Sequence, residues 1–195
     1  KIRSPYPIVL VHGGGGQGLD FMGTPDGRPG WATYFLRQGY PVYIVDRPGH
    51  GRSPLHPEAL GPMTPPPSYE LSMSLFTAPG RMPNSWPSAA KHTQWPGAGV
   101  IGDPGMDQFM ASQGSFLVFL AQTQQLMQRA GAELLDRIGP AILMTHSMGG
   151  PFGWLVADAR PDLVKGIVAV GADTYTSGTK TLGSVLVERM KLAGS

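Results

Sequence analysis

Thr145 to Gly150 read "THSMGG" and follow the apolar run "AILM" directly, so a serine and a pair of glycines stand where a buried strand ends. A serine lifted out of a sheet on a sharp strand-to-helix turn has the setting of a nucleophile elbow, and small neighbours are needed because that turn packs backbone on backbone. Gly149 and Gly150 meet that need, while Thr145 stands two residues before the serine, where the usual pattern has glycine. A second apolar run, Ile8 to Val11, ends in "HGGGGQG". A glycine-rich loop at such a place can offer backbone N–H groups to an oxyanion. Taken singly, each stretch is also an ordinary glycine-rich turn. The loop lacks the Lys-Ser/Thr ending of a P-loop and the spacing of a dinucleotide fingerprint.

The elements that must hold these residues are visible in the pattern. Ile8–Val11, "PVYIVD" from Pro41 to Asp46, "AILMT" from Ala141 and "GIVAV" from Gly166 are short apolar strands. "WATYFLRQ", "PFGWLVADA" and a long run between Met106 and Ile138 have helical spacing, the last predicted as two helices broken near Gly114 or Gly131. Apolar strands alternating with helices predict an α/β fold, a mostly parallel sheet covered on both faces, with function at the carboxyl ends of the strands. Residues 53–107 gather prolines and lose apolar periodicity, with only "SYELSMSLF" suited to a short helix. The whole stretch reads as a lid or binding insertion within one domain spanning 1–195.

With 195 residues, 41% of them hydrophobic, a formal charge of +2 and 14% charged residues, the chain has a core-forming composition and no basic stripe or acidic block. Nucleic acid and anionic membrane therefore have no electrostatic case, and a neutral small molecule fits better. There is no cysteine, hence no disulfide framework or thiolate zinc site, and no histidine spacing suits a metal. No run is long enough to span a bilayer. The first residues lack a signal-peptide cleavage pattern and open almost directly into a strand, as if an upstream segment had been removed.

"VLVHGGGG", "YIVDRPGHGRS" and "THSMGG" stand in an order and at separations that resemble the α/β-hydrolase superfamily. "TPDGRPGWATYFLRQGYPVYIVDRPGHGRS" and "HTQWP" are similar to a group of small bacterial serine carboxylesterases. The resemblance covers the first six-sevenths of the chain. It implies that Ser147 is the nucleophile, that the N–H groups of Gly14 and Met148 form the oxyanion hole, that no cofactor or metal is used, and that the protein is cytoplasmic or secreted. It also implies an acid and then a histidine after the serine, and here the chain departs from the pattern.

No histidine follows Ser147, residues 174–195 do not match the family, and Asp173 is the best acid on offer. Among the five histidines, His146 neighbours the serine but points to the opposite side of a strand end, His12 suits support of the glycine loop, and His50 suits its own turn. His56 sits in a proline loop with no argument for it, which leaves His92, in the middle segment, as the candidate base. Asp46 resembles a family position used for loop support, and Asp26 with Arg28 suits a turn. Three readings follow. The first is an esterase acting on small uncharged esters through an acyl-enzyme. The second is an incomplete hydrolase chain whose sheet stops short at the C-terminal side and is completed by a second chain or a homo-oligomer. The third is a non-enzymatic ligand-binding module. Dehalogenase and epoxide-hydrolase chemistry is disfavoured by serine at the nucleophile position.

Overall fold

The computed structural model describes residues 2–24, 26–53, 55–83 and 85–171. Four apolar runs become strands: β1 (Ile8–Val11), β2 (Val42–Val45), β3 (Ala141–His146) and β4 (Val164–Val170). They form one parallel sheet in the order β2-β1-β3-β4. The chain leaves β1 to one side to make β2 and returns on the other side to make β3, so β1 stands at a switch point. In open α/β sheets such a point, beyond the carboxyl ends of the strands, is where ligands bind. Val11 is in register with both Val45 and Thr145, which brings the chain after all three strands out at one level.

Side chains alternate across the sheet. Ile8 and Leu10 face α1 (Trp31–Arg37) and pack with Phe21, Ala32 and Phe35. Val9, Val11 and Leu143 face the other way, against Met127 and Leu135 of one helix and Phe152 and Val156 of another. Helices thus cover both faces, as the apolar pattern predicts. Among the described residues β4 lies at the sheet edge, and its Val168 is 47% exposed.

The middle segment is less irregular than its composition suggests. It holds two four-residue helices, α2 (Pro57–Leu60) and α3 (Tyr69–Ser72), a π turn at Met73–Thr77, and 3-10 turns at Pro79–Arg81 and Ala89–Lys91. α4 (Pro104–Ser112) follows, its first N–H groups accepted by the Asp103 carboxylate, with Pro104 at a position that needs no donor. α5 (Leu120–Ile138) and α6 (Gly150–Ala159) pack together behind the sheet. Of the two places predicted for a helix break, the one near Gly114 is observed, in the 113–119 connection. Gly131 lies inside α5, where a Cβ would come 2.7 Å from Phe152 Cζ. It is kept small by helix contact and does not break the helix.

Candidate active site

Ser147 follows β3 directly, on a single 3-10 turn (Ser147–Gly149) that leads into α6. Its φ of +48° is the one positive value at a non-glycine residue among the described residues, a strained conformation for an L side chain. The turn is forced by contact with β1. A Cβ on Gly149 would strike the His12 carbonyl oxygen and lie 3.1 Å from Val11 O, so elbow and strand end meet backbone to backbone. Thr145, where glycine is usual, is fully buried, and α6 passes over it at Gly153, where a Cβ would lie 3.5 Å from Thr145 Cγ2, an ordinary contact, and 3.0 Å from Ile167 Cγ2.

The glycine loop lies alongside. A Cβ on Gly13 would come 3.0 Å from both Ser147 Cβ and His146 Nδ1, and the thioether of Met148 occupies the space a Gly14 side chain would need. Ser147, Met148 and Gly14 are all partly open to solvent. The Gly14 N–H has no hydrogen-bond partner among the described residues. Gly15 has φ +65°, and its carbonyl accepts the Gly114 N–H at 2.6 Å, which ties the loop to the connection after α4.

Beneath the loop is a buried polar cluster. His12 donates from Nδ1 to Gly13 O (2.8 Å) and accepts the Arg47 backbone N–H at Nε2 (3.0 Å), which fixes a neutral ring. Burial, then the Arg47 charge, pulls its pKa down to about 3. His50 donates from Nδ1 to Pro48 O (3.0 Å) and accepts from Arg47 Nη2 (3.3 Å). The same two causes lower it to about 4. Arg47 is 2% exposed, with Nη2 also 2.6 Å from Gly13 O and with Nε unpartnered. Burial lowers it to about 10, so it remains a cation at neutral pH. Asp46 accepts the Gly18 N–H and the Arg52 Nε–H, each at 2.5 Å, and so clamps the end of β2 to the turn after the glycine loop.

Of the remaining residues singled out in the sequence, His146 lies with its ring against Gly13 beside Ser147, and the others stand apart. His92 caps the Ala89–Lys91 turn. Its Nδ1 is buried without a partner, and no hydrogen bond joins it to Ser147. His146 is exposed, and His56 is exposed before α2. Asp26 and Arg28 pair at 2.7 Å around a turn also held by Thr24. Trp95 packs edge-on against Phe109 of α4, while Trp86 is 44% exposed. Asp173 and residues 174–195 lie outside the described residues. Among the described residues no group of three His, Cys, Asp or Glu side chains is placed to hold a metal ion, and no helix is long and apolar enough to cross a membrane.

Arg47 is the part of the site that sequence reasoning missed. Its position was inferable: β2 was predicted to end at Asp46, on the level of the glycine loop. Its burial was not, because arginine is rarely fully buried.

Residues 6–186 match the family model for the α/β hydrolase fold. Over 166 residues the chain is 46% identical to "Probable secreted lipase phiG" of Fungal sp. (strain ATCC 74256), covering 85% of this chain and 44% of that one. A solved structure described as a novel bacterial esterase superposes with a TM-score of 0.66 at 24% identity. It shares the fold over 87% of this chain and 54% of its own. This chain therefore spans about half the length of these relatives, and it belongs to the α/β-hydrolase fold family.

Proposed function

We propose that the chain carries the nucleophile and oxyanion loop of a serine carboxylic-ester hydrolase. The observation that carries the reading is the strained Ser147 turn held within side-chain contact of the glycine loop, at the switch point of the sheet. In this reading Ser147 Oγ bonds the acyl carbon of an ester, the carbonyl π pair moves onto oxygen, and the hydroxyl proton passes to a base. The N–H groups of Gly14 and Met148 receive the oxyanion. That proton then leaves with the alcohol, and water releases the acid from the acyl-enzyme. The scarcity of charge along the chain favours small uncharged esters, and the fungal relative is named a lipase. Its name also fits the secreted alternative. Residues 53–107 are the lid that selects acyl groups, a role supported by the Met63–Leu117 bridge and the Thr64 N–H to Phe116 O bond, which join this segment to the connection whose Gly114 N–H holds the glycine loop at Gly15.

Asp173, two residues beyond Gly171, is the acid in this reading. Within the described residues His92 is the candidate base, because the rings of His12 and His50 are spent on buried hydrogen bonds. A second reading places the acid and histidine on polypeptide beyond this chain. It is favoured by the lack of a hydrogen bond at His92 Nδ1, by the edge position of β4 among the described residues and by the 44% coverage of the lipase.

The test is titration with a serine-directed fluorophosphonate, with turnover measured per labelled site. Labelling that Ser147→Ala abolishes supports the nucleophile, and full turnover in Ser147→Ala refutes it. A turnover loss of 10⁴-fold or so in His92→Ala supports the first reading. Slow turnover unaffected by His92→Ala supports the second.

A further inference from the structure

The Gly13–Gly14 peptide is gripped from one side. Its carbonyl accepts from His12 Nδ1 at 2.8 Å and from Arg47 Nη2 at 2.6 Å. Arg47 follows β2 and Ser147 follows β3, on opposite sides of β1. In a trans peptide the C=O and N–H point in opposite directions. Holding the carbonyl toward Arg47 therefore turns the Gly14 N–H toward the elbow, where Met148 packs on Gly14 and where that N–H has no other partner.

The charge of Arg47 is unusual in itself. The neighbouring carboxylate, Asp46, is committed to Arg52, and no ion pair involves Arg47 among the described residues. A buried cation without a carboxylate is a burden on folding. A leucine or methionine would fill the same space without it. What the cation does provide is a short charge-assisted hydrogen bond to one carbonyl, at 2.6 Å, beside a longer one to His50 Nε2 at 3.3 Å. Such a bond draws electron density onto the oxygen and strengthens the N–H at the other end of the same peptide as a donor. A fixed positive charge in a water-poor site also favours negative charge developing nearby, with no reorganisation when the reaction occurs.

We propose that Arg47 is a positioning residue, which aims and polarises the Gly13–Gly14 peptide so that the Gly14 N–H is set to receive the oxyanion formed when Ser147 attacks. The assignment rests on the ester-hydrolase reading given above.

Its test uses the full chain and the variants Arg47→Met, Arg47→Gln and Arg47→Lys. Four quantities are read: kcat per fluorophosphonate-titrated serine, KM, affinity for a boronic acid that forms a tetrahedral adduct on serine, and Tm. Losing one oxyanion donor outright costs about 10²–10³ in kcat, and a donor that is misaimed but present costs less. Arg47→Met and Arg47→Gln lower kcat per titrated site by about 10–100-fold and weaken the boronate by a similar factor. KM stays within about threefold. Tm in Arg47→Met does not fall, because a buried unpaired charge has been removed. Arg47→Lys, which keeps the charge without the planar fork, recovers part of the loss. A merely structural arginine gives the reverse pattern: Tm falls, while kcat per site and boronate affinity hold. That outcome overturns the assignment, and Arg47→Gln carries the test alone if Arg47→Met does not fold. Failure of fluorophosphonate to label the unsubstituted protein at Ser147 overturns the ester-hydrolase reading, and the assignment with it. Full labelling with unaffected Arg47 variants overturns the assignment alone.

Discussion

Gly149→Ala adds one methyl group at the point where the elbow meets β1. Gly149 has φ −78°, which alanine adopts freely, so the substitution tests contact and not backbone strain. The new Cβ strikes the His12 carbonyl oxygen and lies 3.1 Å from Val11 O and 3.2 Å from His12 C. Those are backbone atoms at the end of a central strand, and no side chain can rotate away to relieve them. Optimal separations between such atoms are about 3.5–4.0 Å. The elbow and strand end must therefore part by several tenths of an ångström or more. Overpacking a core costs typically 1–3 kcal/mol, and immovable backbone places this case at about 3. For a chain of this size that lowers Tm by roughly 6–12 °C, read by thermal denaturation. The same parting separates Ser147 from the glycine loop, so turnover per titrated serine falls about 10–100-fold. Gly166→Ala is the control: it is also a glycine of the sheet region, but its Cβ would meet nothing nearer than Ile142 Cγ2 at 4.0 Å. A Gly149→Ala protein that melts within 1–2 °C of the parent refutes the backbone-contact account of the elbow.

Acid should unfold the protein through its buried histidines. His12 and His50 have folded pKa values of about 3 and about 4, below the unfolded value near 6.5. The unfolded chain therefore binds more protons as pH drops below about 6.5, and stability, full above that point, declines by up to about 1.4 kcal/mol per pH unit for each histidine. Urea midpoints that stay constant from pH 6.5 to 4 would contradict this. Ser147→Gly relieves the positive φ and should raise Tm by a few degrees, on about 1 kcal/mol, while fluorophosphonate labelling disappears. A lowered melting point in that variant would show that the turn is not strained. Asp46→Asn weakens charge-assisted bonds to Gly18 N and Arg52 Nε and should cost about 1.5–3 kcal/mol, measured by urea denaturation. A loss under 0.5 kcal/mol would mean that the clamp is solvated.

The strands were legible in the sequence because both faces of the sheet are covered, so each strand is a continuous apolar run bounded by glycine and proline. The serine was legible for a related reason: a polar residue at the end of such a run has to leave the sheet. What the sequence hid depends on contacts between distant segments. Gly131 looks like a helix breaker until Phe152 and Val156 are seen against it. The proline-rich stretch conceals the helix at Pro57–Leu60, which has too few positions to show a period, while the one at Tyr69–Ser72 falls within the legible run "SYELSMSLF". Arg47 was hidden most fully, since its type predicts exposure and its partners, Gly13 and His12, are 34 and 35 positions away.

The Gly114 to Gly15 hydrogen bond joins the glycine loop after β1 to the connection between α4 and α5, two segments about a hundred positions apart in the sequence. Because the bond runs peptide to peptide, no side-chain replacement at either residue short of proline at 114 removes its donor or acceptor. Insertions or deletions in the 113–119 connection pull on the glycine loop directly. That connection is therefore a poor place for free evolutionary drift or for loop grafting. If the ester-hydrolase reading holds, an engineer who reshapes that connection alters the geometry of the glycine loop at the same time, so any change of selectivity made there carries a change of rate.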